Sequence, residues 1–501
     1  MTGRLHPHLY EINTRVWLKR LQESRGTTLT LGTLPDEEWI RLQRLGFDYV
    51  WLMGVWSPSK RSAEIARLLP FLQSEYDGAL PQWNESDVIG SPYSVASYAL
   101  NPSLGSPEDL GVLHDTLHRH GLGLILDFVP NHTALDHPWT SDHPEYFVQG
   151  DLDEYRRNPH LFFQAETEGT RILAHGRDPY FPPWTDTAQL NLFKQPLRDA
   201  FSGALRGVAK NCDGVRCDMA MLALNEKFEQ TWGWLVRRFE DKLPAEEFWE
   251  TVIRDARSDE PDFIFMAEAY GGYEKKLLDL GFDYVYDKTL YDHLLRGNPP
   301  AVRSHLLAGA ESQGRFVRFI ENHDERRAVQ AFGRQKSKAA AAVVSTLPGM
   351  RLLHDGQIDG RRMRIPLQLA RAQHEADDPE LLEFYSTLLR FADHPTLHVG
   401  KWLLLNVGDS SADDHSNENL VAWMWSTEDD AKIVVVNLAD GPSQGLVAFP
   451  REAPGHQIKL LNELTGEPEN LDQDPLAGNL LRLALGPFQV KLFTVLTSGP
   501  P

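Results

Sequence analysis

Short apolar segments alternate with amphipathic stretches of helix length from about residue 8 to residue 395. Eight of these segments are predicted strands: residues 9–18, 47–55, 122–129, 213–219, 262–268, 282–287, 315–321 and 350–356. Continuous apolar strands separated by helices predict a parallel sheet with both faces covered. Eight consecutive units of this kind favour a closed ring over an open sheet. The predicted fold class is therefore α/β, a (β/α)8 TIM barrel.

Two connections within this pattern are too long for simple loops. Residues 56–106 follow the second predicted strand and residues 130–192 follow the third, whereas residues 107–121 and 196–211 read as ordinary amphipathic helices. Connections of this length usually carry function or form small domains. Both leave the carboxyl ends of strands, the end of such barrels that holds the active site.

The pattern changes after residue 395. Strand-like segments at 420–426, 431–440, 458–466, 480–485 and 488–496 are joined by Gly, Pro and Asn turns, and the acidic stretch 408–419 is expected to be a solvated loop. Short strands with such turns predict an antiparallel β-sandwich. The predicted domains are the catalytic barrel (domain A, residues 1–129 and 193–395), an insertion after strand 3 (domain B, 130–192) and the C-terminal β-sandwich (domain C, 396–501).

The charge balance excludes several partners. Lys and Arg number 50 against 71 Asp and Glu, a formal net charge of −21. Such a chain repels phosphate backbones and anionic lipid, so neither nucleic acid nor a membrane is expected as a partner, whereas a neutral sugar is compatible. Two cysteines, Cys212 and Cys217, are too few for a disulfide framework or a thiolate zinc site. With no apolar leader-like segment or membrane span recognisable, the expected location is cytoplasmic.

Polar residues stand at the ends of four predicted strands, where packing alone would not require them. They are Asp127, Asn131 and His132 after strand three, Arg216 and Asp218 on strand four, Glu268 on strand five, and Glu321, His323 and Asp324 on strand seven. In a parallel barrel the carboxyl ends of the strands surround one opening, so these side chains are expected to converge.

This set contains what glycoside hydrolysis needs, a pair of carboxyl groups flanking the scissile bond. Asp218 and Glu268 end adjacent strands, which could place them about 5–5.5 Å apart, the separation typical of retaining enzymes. Arg216 lies two residues before Asp218, hence on the same side of the strand, and would hold Asp218 ionised. Asp324, a nearby like charge, would help to raise the pKa of Glu268. His132 and His323 can donate hydrogen bonds to sugar hydroxyls.

The motifs DFVPNH (127–132), GVRCDMAM (214–221), FMAEAY (265–270) and ENHD (321–324) resemble, in order, the four signature regions of the α-amylase superfamily, glycoside hydrolase family 13. TAQLN (187–191) resembles the signature closing the family's domain B. The resemblance implies that Asp218 is the nucleophile, Glu268 the general acid/base and Asp324 the transition-state stabiliser. It also implies that four residues contact the sugar in subsite −1, namely Tyr93 (in GSPY, 90–93), His132, Arg216 and His323.

The sequence departs from the family pattern at the acceptor side. Met221 and Leu222 stand where secreted α-amylases commonly carry Lys-His, a pair linked to acceptor binding and to calcium. Asn131 matches a calcium-ligand position, but no acidic partners are recognisable, so no metal and no cofactor are expected. The GSPY loop lacks the Asp that many α-glucosidases place there and, with AEAY (267–270), is more similar to amylosucrases and maltosyltransferases.

Three functions therefore remain open from the sequence. The first is a retaining hydrolase of α-glucans or α-glucosides, whose partner is an oligo- or polysaccharide with α-glucosidic bonds. The second is a transglycosylase that performs the same first step with another acceptor. The third, an inactive carbohydrate-binding protein, is disfavoured because all three acids are present. Linkage, chain length and oligomeric state are not indicated by the sequence.

Some residues invite a structural interpretation instead. Asp127 is expected to tie strand three to its neighbours, and Cys217 to be a buried inert thiol because it faces away from Asp218. Aromatic side chains in the long connections either anchor loops or serve as sugar platforms: Trp56, Trp83 and Trp184. Four further tryptophans are expected in the core: Trp232, Trp234, Trp402 and Trp423.

Overall fold

The structure of the protein, a computed structural model, describes residues 4–165, 171–308, 310–448, 458–470, 472–474 and 478–497. Eight parallel strands close a barrel, in chain order β1 His8–Asn13, β2 Tyr49–Met53, β3 Gly123–Phe128, β4 Gly214–Cys217, β5 Ile264–Ala267, β6 Tyr284–Tyr286, β7 Phe316–Arg318 and β8 Met350–His354. Around the ring each strand lies beside its neighbours in sequence, and β1 closes against β8. The predicted (β/α)8 barrel is confirmed.

The first predicted strand extends too far. Residues 9–18 were expected to be one strand, but β1 ends at Asn13 and a helix begins at Thr14. The apolar residues Trp17, Leu18 and Leu21 recur at helical spacing and are buried, which fixes the helix register. No Gly or Pro separates the two elements, so the sequence carries no boundary signal here. The other barrel strands lie within their predicted segments.

Helices cover the outside of the barrel: Thr14–Arg25, Asp36–Arg44, Pro107–Arg119, Gln195–Ala209, Asn225–Val236, Phe248–Asp259, Glu274–Asp279, Lys288–Arg296, Pro299–Leu306, Ala310–Gln313, Ala328–Phe332, Arg334–Thr346, Pro379–Ala392 and Thr396–Val399. The helix Pro107–Arg119 begins with a reciprocal capping box between Ser106 and Asp109 and has proline in its first turn, which explains its sharp start. Because helices cover one face of each strand and the barrel interior the other, β1, β2, β3, β4 and β8 are buried along their whole length.

Two insertions rise beside the carboxyl ends of β2 and β3. The first pairs Trp56–Pro58 with Val95–Leu100 and carries helices Lys60–Leu68 and Pro70–Ala79. The second pairs His132–Ala134 with Thr187–Gln189 at its base. Its other elements are strands Gln149–Gly150, Phe162–Ala165 and Arg171–Ala174 and helices Trp139–Asp142 and Leu152–Arg157. The proposed limits of domain B, residues 130 and 192, fall just outside the basal strand pair.

The C-terminal region consists of two antiparallel sheets. Its strands are β9 Lys401–Leu405, β10 Val407–Gly408, β11 Leu420–Ser426, β12 Ala431–Asn437, β13 Ser443–Ala448, β14 Ile458–Asn462, β15 Glu467–Asn470, β16 Asp472–Asp474, β17 Gly478–Leu485 and β18 Val490–Thr497. One sheet has the order β9-β11-β12-β18-β14-β15 and the other β10-β13-β17-β16. Leu420, Val435, Leu483 and Phe493 pack between them. The acidic stretch 408–419 is mostly exposed, but Asn417 is buried and donates to Val407 O at 2.9 Å.

The β-sandwich packs directly on the barrel. Trp425 of β11 is buried and its Nε1 donates to Thr346 O, at the end of the last barrel-flanking helix before β8, over 2.7 Å. Trp232, Trp402 and Trp423 are buried as expected, whereas Trp234 is wrong as a core residue, being 51% exposed. In the described part of the chain no helix combines the length and the apolar character needed to cross a bilayer.

Candidate active site

The carboxyl ends of the barrel strands open into a cleft of about 590 Å³. Five of the residues singled out from the sequence line it: Tyr93, His132, Asp218, Glu268 and Asp324. The other two, Arg216 and His323, lie buried directly behind them and hydrogen-bond to the lining residues. The structure thus brings together all seven residues at one end of the barrel.

Arg216 lies at the floor of the cleft and contacts both central acids. Its Nη1 donates to Asp218 Oδ1 at 2.7 Å and its Nη2 to Glu268 Oε2 at 2.6 Å. Its carbon Cζ lies 5.3 Å from the ring centre of Trp51 and 5.1 Å from that of Tyr93. The guanidinium is fully buried; burial lowers its pKa, but the charge of Glu268 and its other anionic neighbours raises the pKa well above the ordinary value. The sequence predicted the contact of Arg216 with Asp218 but not its hydrogen bond to Glu268.

The register of β4 and β5 explains why the two acids meet. Cys217 pairs with Ala267, so Asp218 and Glu268 are the next residues along adjacent strands. Immediately after Asp218, Met219 adopts a left-handed backbone conformation with φ of 42°, which is strained for a residue with a side chain. In this conformation Met219 N donates to Glu268 Oε2 at 2.8 Å. Oε2 therefore accepts from two N–H groups, whereas Oε1 meets the Tyr270 hydroxyl, which can accept as well as donate, so Oε1 is the oxygen able to carry a proton.

The two carboxyl groups share an environment that favours one proton between them. Burial raises the pKa of both, and Arg216 lowers both. The negative charge of Asp324 raises the pKa of both acids; that of Asp218 further raises the pKa of Glu268, which the hydrogen bond from Tyr270 lowers. Asp218 receives a hydrogen bond from Arg216 and the positive field of His323, both of which lower its pKa. The arrangement favours an ionised Asp218 beside a protonated Glu268.

His323 connects Asp324 to the first strand. Its Nδ1 lies 2.5 Å from Glu11 Oε1, and its Nε2 lies 3.0 Å from Asp324 Oδ2 and 2.8 Å from the hydroxyl of Tyr93. Burial lowers the pKa of His323, but the two acids outweigh it and hold the pKa well above the ordinary value, so the ring is an imidazolium. Its charge in turn holds the pKa of Asp324 below the ordinary value against the effect of burial. Asp324 therefore presents an ionised carboxylate to the cleft.

His132 lies on the opposite wall in a different charge state. It is buried at the base of the second insertion, with its ring centre 5.1 Å from that of Trp184. Burial lowers its pKa to about 4. His132 is therefore neutral and can donate one hydrogen bond to a hydroxyl group without adding positive charge near Glu268.

Asn131 pairs with an amide and an imidazole. Its Oδ1 accepts from Gln189 Nε2 at 3.1 Å and its Nδ2 lies 3.3 Å from His132 Nδ1. Calcium takes about 6–8 oxygen ligands, several of them carboxylates. Within the described ranges, no group of three or more acidic or histidine side chains surrounds Asn131.

Three residues with a structural interpretation, Asp127, Cys217 and Trp56, are buried, and Asp127 and Trp56 are hydrogen-bonded. Asp127 accepts from Trp51 Nε1 at 3.2 Å and from Gly54 N at 3.1 Å, and burial raises its pKa to about 7. Cys217 is buried, which raises its thiol pKa. Trp56 is a loop anchor, since it is buried and donates to Asp127 O at 2.7 Å.

Of the two remaining loop tryptophans, one lines the cleft. Trp83 packs against Tyr76 and donates to Asp77 Oδ1 at 2.8 Å, which anchors its loop. Trp184 is part of the cleft wall, which agrees with the platform interpretation rather than with a loop anchor alone.

Sequence reasoning missed three polar residues of the site. Tyr270 donates to Glu268 Oε1 at 2.6 Å, Glu11 holds His323, and Asp186 lines the cleft, where Ser62 Oγ donates to it at 2.6 Å. An acid inside the apolar segment LYEIN was the available signal for Glu11. For Asp186 there was none, because its position depends on how the two insertions pack together.

The insertions also build an apolar wall on the cleft. It is formed by residues of the helices of the first insertion and of the segment preceding Trp184: Ile65, Leu69, Phe71, Leu72, Pro182 and Pro183. Phe71 is 62% exposed, a large apolar surface beside a polar floor. Aromatic and apolar side chains suit the CH faces of sugar rings.

Comparison with known proteins agrees with this geometry. The family model "Alpha amylase, catalytic domain" matches residues 40–290. The alpha-amylase MalA of Haloarcula japonica is 27% identical over 462 residues, covering 90% of this chain and 58% of that protein. An alpha-1,4-glucan:maltose-1-phosphate maltosyltransferase of Cereibacter sphaeroides is 30% identical over 212 residues, covering 40% of this chain and 25% of that protein. The chain thus spans little more than half the length of these relatives, or less.

Solved structures show the same fold over almost the whole chain. The maltogenic alpha-amylase AmyB from Thermotoga neapolitana superposes with a TM-score of 0.69 at 16% sequence identity, covering 98% of this chain and 99% of that one. The family model covers half of the sequence, the barrel with its insertion and β-sandwich is shared, and the signature motifs fall in the cleft. The chain belongs to the α-amylase family.

Proposed function

We propose that the protein is a retaining glycoside hydrolase that acts on α-glucans or α-glucosides of the maltooligosaccharide type. The observation that carries this proposal is the Arg216 guanidinium, which holds Asp218 and Glu268 side by side at the floor of a cleft. Two adjacent carboxyl groups in different protonation states are the requirement for double displacement at a sugar carbon.

In the first step, Asp218 attacks the anomeric carbon while Glu268 gives its proton, carried on Oε1, to the glycosidic oxygen. The bond to the leaving sugar breaks, and a glycosyl ester of inverted configuration forms on Asp218. In the second step, Glu268 takes a proton from water, whose oxygen attacks the same carbon and releases Asp218. Two inversions return the α configuration.

Residues around the two acids stabilise the positive charge that develops on the sugar in the transition state of each step. Asp324 presents a carboxylate to the cleft and Tyr93 a ring beside Arg216. His323, as an imidazolium, keeps Asp324 ionised, and its Nε2 contacts both Asp324 and the Tyr93 hydroxyl. His132 contributes a neutral donor on the other wall. We assign these residues, together with Arg216, to the subsite that holds the reacting sugar.

Transfer to a sugar or phosphate acceptor is the second candidate. The apolar wall formed by the insertions would bind an acceptor ring and displace water from the neighbourhood of Glu268. The maltosyltransferase relative is consistent with this alternative.

The proposed location is the cytoplasm, supported by two buried cysteines that are not paired.

Asp218→Asn should abolish turnover while leaving the fold intact, because the amide cannot form the glycosyl ester. We expect a loss of at least ~10²-fold in kcat, the scale on which essential groups act. Turnover of maltooligosaccharides and circular dichroism measure the two properties. Asp142→Asn, an exposed acid in the second insertion, is the matched control. Retention of a tenth or more of the wild-type rate would remove Asp218 from the mechanism.

Tyr270→Phe should move the alkaline limb of the kcat/KM profile to higher pH. Activity requires protonated Glu268 and is lost as pH rises through its pKa. Burial raises that pKa, whereas the hydrogen bond from Tyr270 lowers it. Removing the hydroxyl therefore extends the protonated range upward. Tyr273→Phe, a neighbouring tyrosine whose ring faces Lys227, is the control; a limb that stays in place or moves to lower pH in Tyr270→Phe contradicts the acid role of Glu268.

Proton NMR of the first-formed products tests stereochemistry and acceptor together. With maltooligosaccharides alone we expect an α-anomer before mutarotation begins, and hydrolysis products should predominate over longer chains. Parallel reactions with inorganic phosphate or added maltose report transfer, which the second candidate predicts. A β-anomer at the earliest time would mean an inverting enzyme and would contradict the nucleophilic role of Asp218.

We also propose that neither stability nor turnover depends on calcium, because the Asn131 amide is paired with Gln189 and not with carboxylates. Adding millimolar CaCl2 to metal-free protein should leave the melting temperature and the rate unchanged. A clear rise in either would require a calcium site that the side chains around Asn131 do not provide.

A further inference from the structure

A cluster of two histidines and one aspartate lies at the opposite end of the barrel from the cleft. His114 and His118 are four residues apart on the helix Pro107–Arg119 and therefore share a face. Asp213 directly precedes β4, at the amino end of that strand. His114 Nε2 lies 3.2 Å from Asp213 Oδ2, and His118 Nε2 lies 2.8 Å from Asp213 Oδ1.

We propose that His114, His118 and Asp213 form a binding site for a divalent cation of the zinc class. One atom from each of the three side chains lies within 4.8 Å of the others. Two imidazoles and one carboxylate are a donor set that suits Zn²⁺, with water as the fourth ligand, whereas Ca²⁺ and Mg²⁺ require mostly oxygen.

The spacing of these atoms is close to that of a loaded site. Zinc lies about 2.0–2.2 Å from nitrogen and oxygen ligands, so neighbouring ligand atoms in a tetrahedron are about 3.3–3.6 Å apart. The observed nitrogen-to-oxygen distances are 3.2 Å from His114 to Oδ2 and 2.8 Å from His118 to Oδ1, so each imidazole now contacts its own carboxylate oxygen. Because one ligand atom from each side chain lies within 4.8 Å of the others, small side-chain rotations bring all three around one ion.

A backbone amide fixes the orientation of the Asp213 carboxylate. Leu124 N donates to Asp213 Oδ2 at 2.7 Å, which fixes the carboxylate; Oδ1, now paired with His118 Nε2, is the oxygen that would bind the metal. Such an outer hydrogen bond orients a ligating carboxylate. The centres of the two imidazole rings lie 4.1 Å apart. A single cation could therefore bind one nitrogen of each ring.

The cluster is accessible to solvent and lies between two neighbouring units of the barrel. The side chains of His114, Asp213 and His118 are 18%, 23% and 39% exposed, so an ion and its water ligand can reach them. The bound ion would join the helix that precedes β3 to the start of β4, two neighbouring units of the barrel. This is a structural site, separate from the cleft and independent of the proposed catalytic chemistry.

Calorimetric titration of the metal-free full chain with ZnCl2 tests the site, and the melting temperature is measured in parallel. We expect one ion per chain and a higher melting temperature. In His114→Gln and His118→Gln the affinity should fall by about a hundredfold or more, since loss of an outer partner alone costs about 10–100-fold. His143→Gln, an exposed histidine beside Glu145, is the matched control and should bind as the wild type does.

The visible spectrum with Co²⁺ provides a second readout that does not depend on stability. A tetrahedral spectrum in the wild type and in His143→Gln that is lost in His118→Gln supports the site. Absence of zinc binding in the wild type overturns the proposal, and so does equal binding by the wild type and both cluster variants. Turnover without added metal should be the same in all four proteins.

Discussion

The candidate site depends on one buried cation. A guanidinium with no exposure to water is stable only beside negative charge, and Arg216 receives that charge from both Asp218 and Glu268. The same contacts hold the two acids side by side and lower the pKa of both against the effect of burial. Aromatic rings, among them Trp51 and Tyr93, enclose the remaining faces of the guanidinium. The positions of the acids and the packing at the floor of the cleft therefore both depend on Arg216.

Floor and walls of the cleft come from different parts of the chain. The floor consists of strand ends whose positions follow from the hydrogen-bonded register of the barrel. The walls are formed by the insertions after β2 and β3, through residues such as Phe71, Trp184 and Asp186. A change in the walls alters the shape of the cleft without moving Arg216 or its carboxylates. Barrel enzymes in general differ in substrate because their loops vary while the strand ends keep their positions.

The sequence predicted the barrel and the floor because both follow from periodic or local signals. Eight apolar segments marked the strands, and polar residues at their ends marked the cleft. The helix at Thr14 was missed because the apolar pattern continues through the strand end without a turn residue. Trp234 was misplaced because a single aromatic residue in a helix does not reveal which face is buried. Asp186 and the pair His114 and Asp213 are contacts across long separations, to which no local pattern points.

The contact between Glu11 and His323 joins the beginning of the barrel to its end, which bears on the order of folding. Glu11 lies on β1, the first strand of the barrel in chain order, and its partner His323 follows β7. Between them in the ring stands β8, which ends only at His354. All acids of the cleft are therefore synthesised before β8, and until β8 is in place Glu11 cannot reach His323. The charge that Glu11 and His323 together impose on Asp324 therefore arises only when the first and last strands of the barrel meet.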